Sequence, residues 1–122
     1  MAHQKEIKAN YNCALLLSMD LLGGKWKMRL LWHILHGDDR FSKLQRAIPD
    51  ITTKMLITQL RELERSGLLV RTEYPEVPPR VVYHLAEQYH GLIPIVESFC
   101  DFGKEYAEIN GVALGEVQKS TV

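Results

Sequence analysis

Thr52-Thr-Lys-Met-Leu-Ile-Thr-Gln-Leu-Arg-Glu-Leu-Glu-Arg-Ser-Gly67 is the stretch on which the fold turns. Thr52 or Thr53 can cap a helix, because a threonine hydroxyl accepts from the free N–H groups of the first turn. At 100° per residue Leu56, Leu60 and Leu63 then fall within about 60° of one another, while Lys54, Thr58, Arg61 and Arg65 cluster on the opposite side. Glu62 and Glu64 fall on the flanks and dilute the basic stripe little. The helix has one core face and one basic face, and Gly67 ends it.

Upstream, Phe41-Ser42 opens a short helix through Leu44 and Ile48, stopped by Pro49-Asp50. Downstream, Leu68 to Tyr74 and Arg80 to Leu85 are β-branched and aromatic enough to be strands. Pro75-Glu-Val-Pro-Pro79 between them lacks the donors a sheet ladder needs, so it reads as a stiff hairpin loop. Two strands alone are marginal and must pack on the helices. A short helix, a turn, a basic-faced helix and a hairpin form a helix-turn-helix followed by a wing.

Three more helices complete the chain. Cys13 to Leu22 is helical in composition, with Gly23-Gly24 expected to close it in left-handed conformations. From Lys25 to about His36, Trp26, Leu30, Leu31, Ile34 and Leu35 recur at helical intervals, with Lys25, Lys27 and Arg29 directed elsewhere. The last helix is expected from about Gln88 to Ile109, with Leu92, Ile95, Val96, Phe99, Phe102, Tyr106 and Ile109 at three- and four-residue spacing. Pro94 fits only near its first turn. About 20 residues make a rod of about 30 Å, longer than one small winged domain needs, so this helix and Cys13 to Leu22 are expected to form a dimer interface. Residues 1–110 read as a single domain, α+β and mostly helical, and 111–122 as a mobile tail.

Composition sets the outer bounds. With 46% hydrophobic and 25% charged residues, collagen-like and disordered chains are disfavoured. The longest apolar run, Ala14 to Leu17, is far short of the about 20 residues a bilayer span needs. The polar start has no signal-peptide core, so a cytoplasmic location without membrane partners is expected. Fifteen bases balance fifteen acids, which at first sight speaks against a polyanionic partner. Position reverses that reading. Residues 25–80 hold eleven bases against seven acids, and residues 81–122 hold two bases against six acids. Attraction to phosphate is local, falling off over about 8 to 10 Å, so the middle segment suits DNA while the tail does not.

The strings Leu22-Gly-Gly-Lys-Trp26, Arg40-Phe-Ser-Lys-Leu44, Ile51-Thr-Thr-Lys-Met-Leu56, Leu60-Arg-Glu-Leu-Glu64, Ser66-Gly-Leu-Leu-Val-Arg71 and Tyr74-Pro-Glu-Val-Pro-Pro-Arg-Val-Val-Tyr83 resemble, as an ordered set over roughly residues 13–106, the HxlR family of bacterial winged-helix transcriptional regulators. The resemblance implies a homodimeric regulator, of the repressor type among others, whose recognition helices enter adjacent major grooves. The chain departs from the family pattern at Cys13-Ala14, where Cys-Pro is usual. It departs again at Leu85-Ala-Glu-Gln-Tyr89, where Leu-Thr-x-x-Gly is usual, and at Phe102, where Trp is usual.

The candidate DNA contacts are Arg40, Lys43, Thr52, Thr53, Lys54, Thr58, Gln59, Arg61 and Arg80, since cations and small hydroxyl or amide groups bind phosphates and base edges. Cys13 is a candidate sensor for an oxidant or small electrophile: it starts a helix, whose dipole favours a thiolate, and regulators of the resembled type use a cysteine near that position. The alternative is a small packed hydrophobe. Cys100, Trp26, Trp32 and the methionines read as core. His33, His36, His84 and His90 read as surface or packing residues, so no metal or cofactor is expected. No catalytic constellation is visible and an enzyme is not expected. The competing readings are a winged-helix regulator answering to a small hydrophobic effector, or a winged-helix module that binds proteins.

Overall fold

The computed structural model describes residues 7–115. The elements run α1 (Ala14–Leu22), α2 (Lys27–Leu35), α3 (Phe41–Ala47), α4 (Thr53–Arg65), β1 (Leu69–Tyr74), β2 (Arg80–Leu85), a single 3-10 turn (Glu87–Tyr89) and α5 (Leu92–Asn110). The predicted order of elements is therefore the observed one. The polar start and the tail from residue 116 onward lie outside the described residues.

The core is the leucine stripe of α4 closed over α2, α3 and the hairpin. Leu56, Leu60 and Leu63 are at most 1% exposed, and they pack with Leu30, Leu31, Leu44 and Ile48. Thr52 is the cap: its hydroxyl accepts from the Met55 N–H at 3.1 Å. Gly67, at φ 85°, takes the left-handed conformation that turns the chain from α4 into β1, with the Leu68 N–H returning to the Leu63 carbonyl. The antiparallel strands pair Leu69 with Leu85 through Tyr74 with Arg80. The Tyr83 N–H donates to the Asp39 carbonyl at 2.8 Å, which ties the wing to the turn before α3.

Three expectations are corrected. The last helix does not run unbroken from Gln88, because a proline at 94 cannot donate to the His90 carbonyl and its ring would clash there. The chain instead makes the 3-10 turn and restarts at Leu92, which places Pro94 where no donor is required. Ala86, in place of a capping threonine, is buried, and its N–H donates to the Leu68 carbonyl. At the end of α1 only Gly24 is left-handed; Gly23 is extended, and its N–H approaches the Met19 carbonyl so closely that a β-carbon would collide with that oxygen.

The third correction concerns Lys27, which does not face solvent. It is buried on α2, and its ammonium donates to Glu62 Oε1 of α4 at 2.6 Å. A buried pair of this kind adds little net stability, yet removing one partner strands an uncompensated charge. Lys27→Met and Glu62→Leu should each destabilise by about 3 to 5 kcal/mol, and the double variant should recover most of that loss. Urea unfolding of the three variants at one protomer concentration checks this; additive losses would contradict it.

Candidate nucleic-acid interface

The helix-turn-helix is α3 and α4, joined by Ile48 to Thr52. Burial of the leucine stripe leaves Lys54, Arg61 and Arg65 exposed along one side of α4. From Lys54 to Arg61 the rise is about 10 Å and to Arg65 about 16 Å, enough to line a major groove about 12 Å wide. Arg40 is exposed at the N-cap of α3 and Arg46 on its last turn, and Lys43 lies half-buried between them. The three-residue spacing of Lys43 and Arg46 makes them neighbours on one side of that helix.

Ion pairing sorts the bases further. Lys27 is spent on Glu62, Lys43 lies 3.7 Å from Asp39, Arg71 lies 3.5 Å from Glu73, and Arg80 lies 3.0 Å from Glu76. Arg29 grips Asp50 with two hydrogen bonds of 3.1 and 2.9 Å, while Lys25 stands 3.9 Å from the same carboxylate. Among the described residues of the 25–80 segment, the bases without a carboxylate partner are Arg40, Arg46, Lys54, Arg61 and Arg65. All five belong to the helix-turn-helix.

The other predicted contacts divide. Thr52 and Thr53 are exposed at the start of α4; Thr52 is the cap, and Thr53 accepts from the Gln45 amide at 3.0 Å. Thr58 donates to the Lys54 carbonyl within its own helix. Gln59 does not belong to the exposed face. It is 8% exposed, and its amide donates to the Met55 sulfur at 3.5 Å. The helical wheel already contains that result, since Gln59 falls about 60° from Leu56 and well away from Lys54. Arg46 was not singled out from the sequence, although its place three residues after Lys43 marked it.

Apolar side chains are also exposed on α1 and on α5. Leu15 and Met19 on α1 are exposed, as are Ile95, Phe99, Phe102, Tyr106 and Ile109 on α5, the two phenylalanines at 64%. The α5 set alternates four- and three-residue steps, the spacing of a helix seam built to meet another helix. Cys100 is half-buried on this helix rather than in the core. Cys13 is exposed and sits at the N-cap of α1. Just before it, the Tyr11 hydroxyl donates to Asp20 at 2.6 Å, and this bond, which only the protonated phenol can make, pushes the Tyr11 pKa up.

His33 is buried with its Nδ1 3.0 Å from Asp38, and His36 Nε2 lies 2.8 Å from Glu97 of α5. These histidines serve packing and the joint between α2 and α5. Among the described residues no cluster of three or more His, Cys, Asp or Glu side chains could hold a metal, and no helix is long and apolar enough to cross a membrane.

A helix-turn-helix with an unpaired basic face, followed by a two-stranded wing, defines a winged-helix DNA-binding regulator. The HxlR-like helix-turn-helix family model matches residues 21–110, and the chain belongs to that family. An uncharacterized HTH-type transcriptional regulator of Methanothermobacter thermautotrophicus is 48% identical over 96 residues, covering 79% of this chain and 73% of that protein. Among solved structures, the redox regulator HypR in its oxidized form is 42% identical with a TM-score of 0.72, covering 76% of this chain and 96% of that one. HypR in its reduced form is 38% identical with a TM-score of 0.74, covering 83% of this chain and all of that one. The relatives are transcriptional regulators, and the family implies DNA binding.

The Arg29 guanidinium holds the Asp50 carboxyl below its ordinary pKa. A lowered folded value means that the pair contributes above the unfolded pKa and is lost as pH falls through the folded one. Carboxyl NMR titration should place the Asp50 midpoint below that of an unpaired aspartate, and Arg29→Gln should raise it. An unchanged midpoint in the variant would dissolve the pair.

Proposed function

We propose that the protein is a homodimeric, sequence-specific transcriptional regulator that reads an inverted-repeat operator through α4. The observation that carries this is the set of five cations without carboxylate partners, Arg40 and Arg46 at the two ends of α3 and Lys54, Arg61 and Arg65 on α4 opposite its buried leucine stripe. The exposed seams of α1 and α5 supply the dimer contact, and two recognition helices related by a twofold axis then meet half-sites about 34 to 36 Å apart. Arg40, Lys43, Arg46 and Arg65 serve as phosphate contacts, while Lys54 and Arg61 approach guanine edges, with Thr52, Thr53 and Thr58 beside them. Gln59 is withdrawn from the contact set. A protein-binding winged helix would carry acidic or apolar groups on this face, and five free cations favour DNA.

The test is selection of bound duplexes from random oligonucleotides, followed by affinity measurement on the selected sequence. Lys54→Ala/Arg61→Ala should weaken binding by about 30-fold or more, on the basis of about 1 to 3 kcal/mol per lost contact. Retained affinity in a folded double variant would exclude α4 as the reading element.

Cys13 is the thiol through which an oxidant or small electrophile changes that affinity. Its exposure and its place at the start of α1, beside the dimer seam, support this reading, as does the likeness to a redox regulator solved in two oxidation states. Addition of Sγ across the double bond of N-ethylmaleimide forms a carbon–sulfur bond while the neighbouring ring carbon takes up a proton, and diamide, reduced to its hydrazine, joins Cys13 to a second thiol in a disulfide; either places a bulky group at the start of α1. Operator affinity should respond to diamide or N-ethylmaleimide in the wild type and not in Cys13→Ser. The same response in both proteins would remove Cys13 from the mechanism.

A further inference from the structure

Among the described residues five polar or charged side chains are buried, and three of them, Lys27, Gln59 and Glu62, line one half-open cavity of about 450 Å³. Its apolar walls are Leu16 and Met19 of α1, Trp26 at the start of α2 and Met55 of α4. None of the side chains of α1 is buried, so that helix borders the cavity without filling it.

The three polar groups have hydrogen-bonding capacity to spare. The Lys27 ammonium carries three donors and gives one to Glu62 Oε1; the other two, and Glu62 Oε2, have no hydrogen-bond partner among the described residues. Gln59 commits its amide to the Met55 sulfur, a weak acceptor. A buried ion pair recovers its desolvation cost only when its remaining protons and lone pairs are bonded as well. Water satisfies those atoms but also wets four apolar side chains, whereas an organic ligand satisfies both. Apolar walls, a few convergent polar groups and about 300 to 1,000 Å³ are the ordinary make-up of a small-molecule site.

Charge selects among ligands. Lys25 and Lys27 against Asp20 and Glu62 leave the lining neutral. An anion would face Glu62 and a cation would face Lys27, each where little solvent screens the repulsion. The group that fits is neutral, with an acceptor for the Lys27 ammonium beside a donor for Glu62 Oε2. A primary carboxamide carries that pair on one carbon, and an attached aromatic ring suits the Trp26 ring and the two thioethers.

We infer that the cavity between α1 and α4 is the binding site of a small neutral aromatic carboxamide, and that its occupant acts as an effector by wedging α1 against α4. The site rests on the cavity alone. The effector role rests on the reading of the protein as a DNA-binding dimer, because Met19 belongs to the dimer seam of that reading and Met55, Gln59 and Glu62 to its recognition helix.

The probe is benzamide, with benzoate, benzylamine and toluene as its anionic, cationic and apolar counterparts, titrated into the full chain and followed by NMR. Benzamide should give saturable shifts of the Trp26 indole and Gln59 amide signals with a Kd of about 0.1 to 1 mM, the range for a ligand of about nine heavy atoms. Benzoate and benzylamine should bind about tenfold more weakly or worse. Lys27→Met/Glu62→Leu, the double variant expected to keep its stability, should lose about tenfold or more in benzamide affinity while gaining affinity for toluene, with urea unfolding to verify the fold. Saturating benzamide should change the affinity of the wild type for the selected operator by about fivefold or more. Absence of a saturable shift up to about 10 mM benzamide overturns the site. So does toluene bound as tightly as benzamide by the wild type, or benzamide binding undiminished in the double variant. The ligand series needs no substitution, so it decides the matter even where the double variant does not fold. Benzamide bound with operator affinity unmoved overturns the effector role. A wild type that binds benzamide and no duplex is a different result: it removes the DNA-binding reading and leaves the site standing.

Discussion

Burial of Leu56, Leu60 and Leu63 sets the roll of α4, and most of the molecule's chemistry follows from that one constraint. Each buried leucine is worth about 1.5 to 3 kcal/mol, so turning the helix to bury another face would forfeit several kcal/mol. The basic side is therefore held outward without needing contacts of its own. The ion pair of Lys27 and Glu62 adds direction: a buried charge has few acceptable partners, so α2 and α4 are held in one relative placement. The wing is attached to the same frame through β1, which leaves α4 at Gly67, and through the bond from Tyr83 to Asp39.

The neutral total charge acquires a structural meaning from the pairing. Most bases outside the reading surface stand against a nearby carboxylate, including Arg29 against Asp50 just ahead of the recognition helix. Among the described residues of the 25–80 segment, the five that do not are Arg40, the N-cap of α3, and Arg46, Lys54, Arg61 and Arg65 on α3 and α4. Unpaired positive charge of that segment is thus gathered on one patch, while α5 is acidic.

Features governed by local periodicity were legible in the sequence. The stripe of α4, its threonine cap, both strands of the hairpin and the proline-stiffened loop follow from spacing and residue type, and the ordered motifs pointed to the family. Features governed by tertiary contact were not. Lys27 and Glu62 are 35 residues apart, and nothing in either local pattern announces their burial. Gln59 was assigned by residue type to the DNA face, although its wheel position lay nearer the core. Cys100 between two phenylalanines looks like core in a single chain, yet both phenylalanines are exposed, because the spacing of α5 records an apolar face without saying which molecule covers it. The break before α5 was half-legible: Pro94 limited how far upstream a helix could extend, whereas the 3-10 turn depends on the backbone bonds that Glu87 to His90 make.

In the proposed dimer, a twofold pair of reading heads built on α4 and joined through α1 and α5 engages one face of a duplex. Hydroxyl-radical footprinting on the selected operator tests this most directly. The account predicts two symmetric protected patches, centred about 10 base pairs apart on the same face of the DNA. A single protected patch at saturation, or protection with no twofold relation, would contradict it.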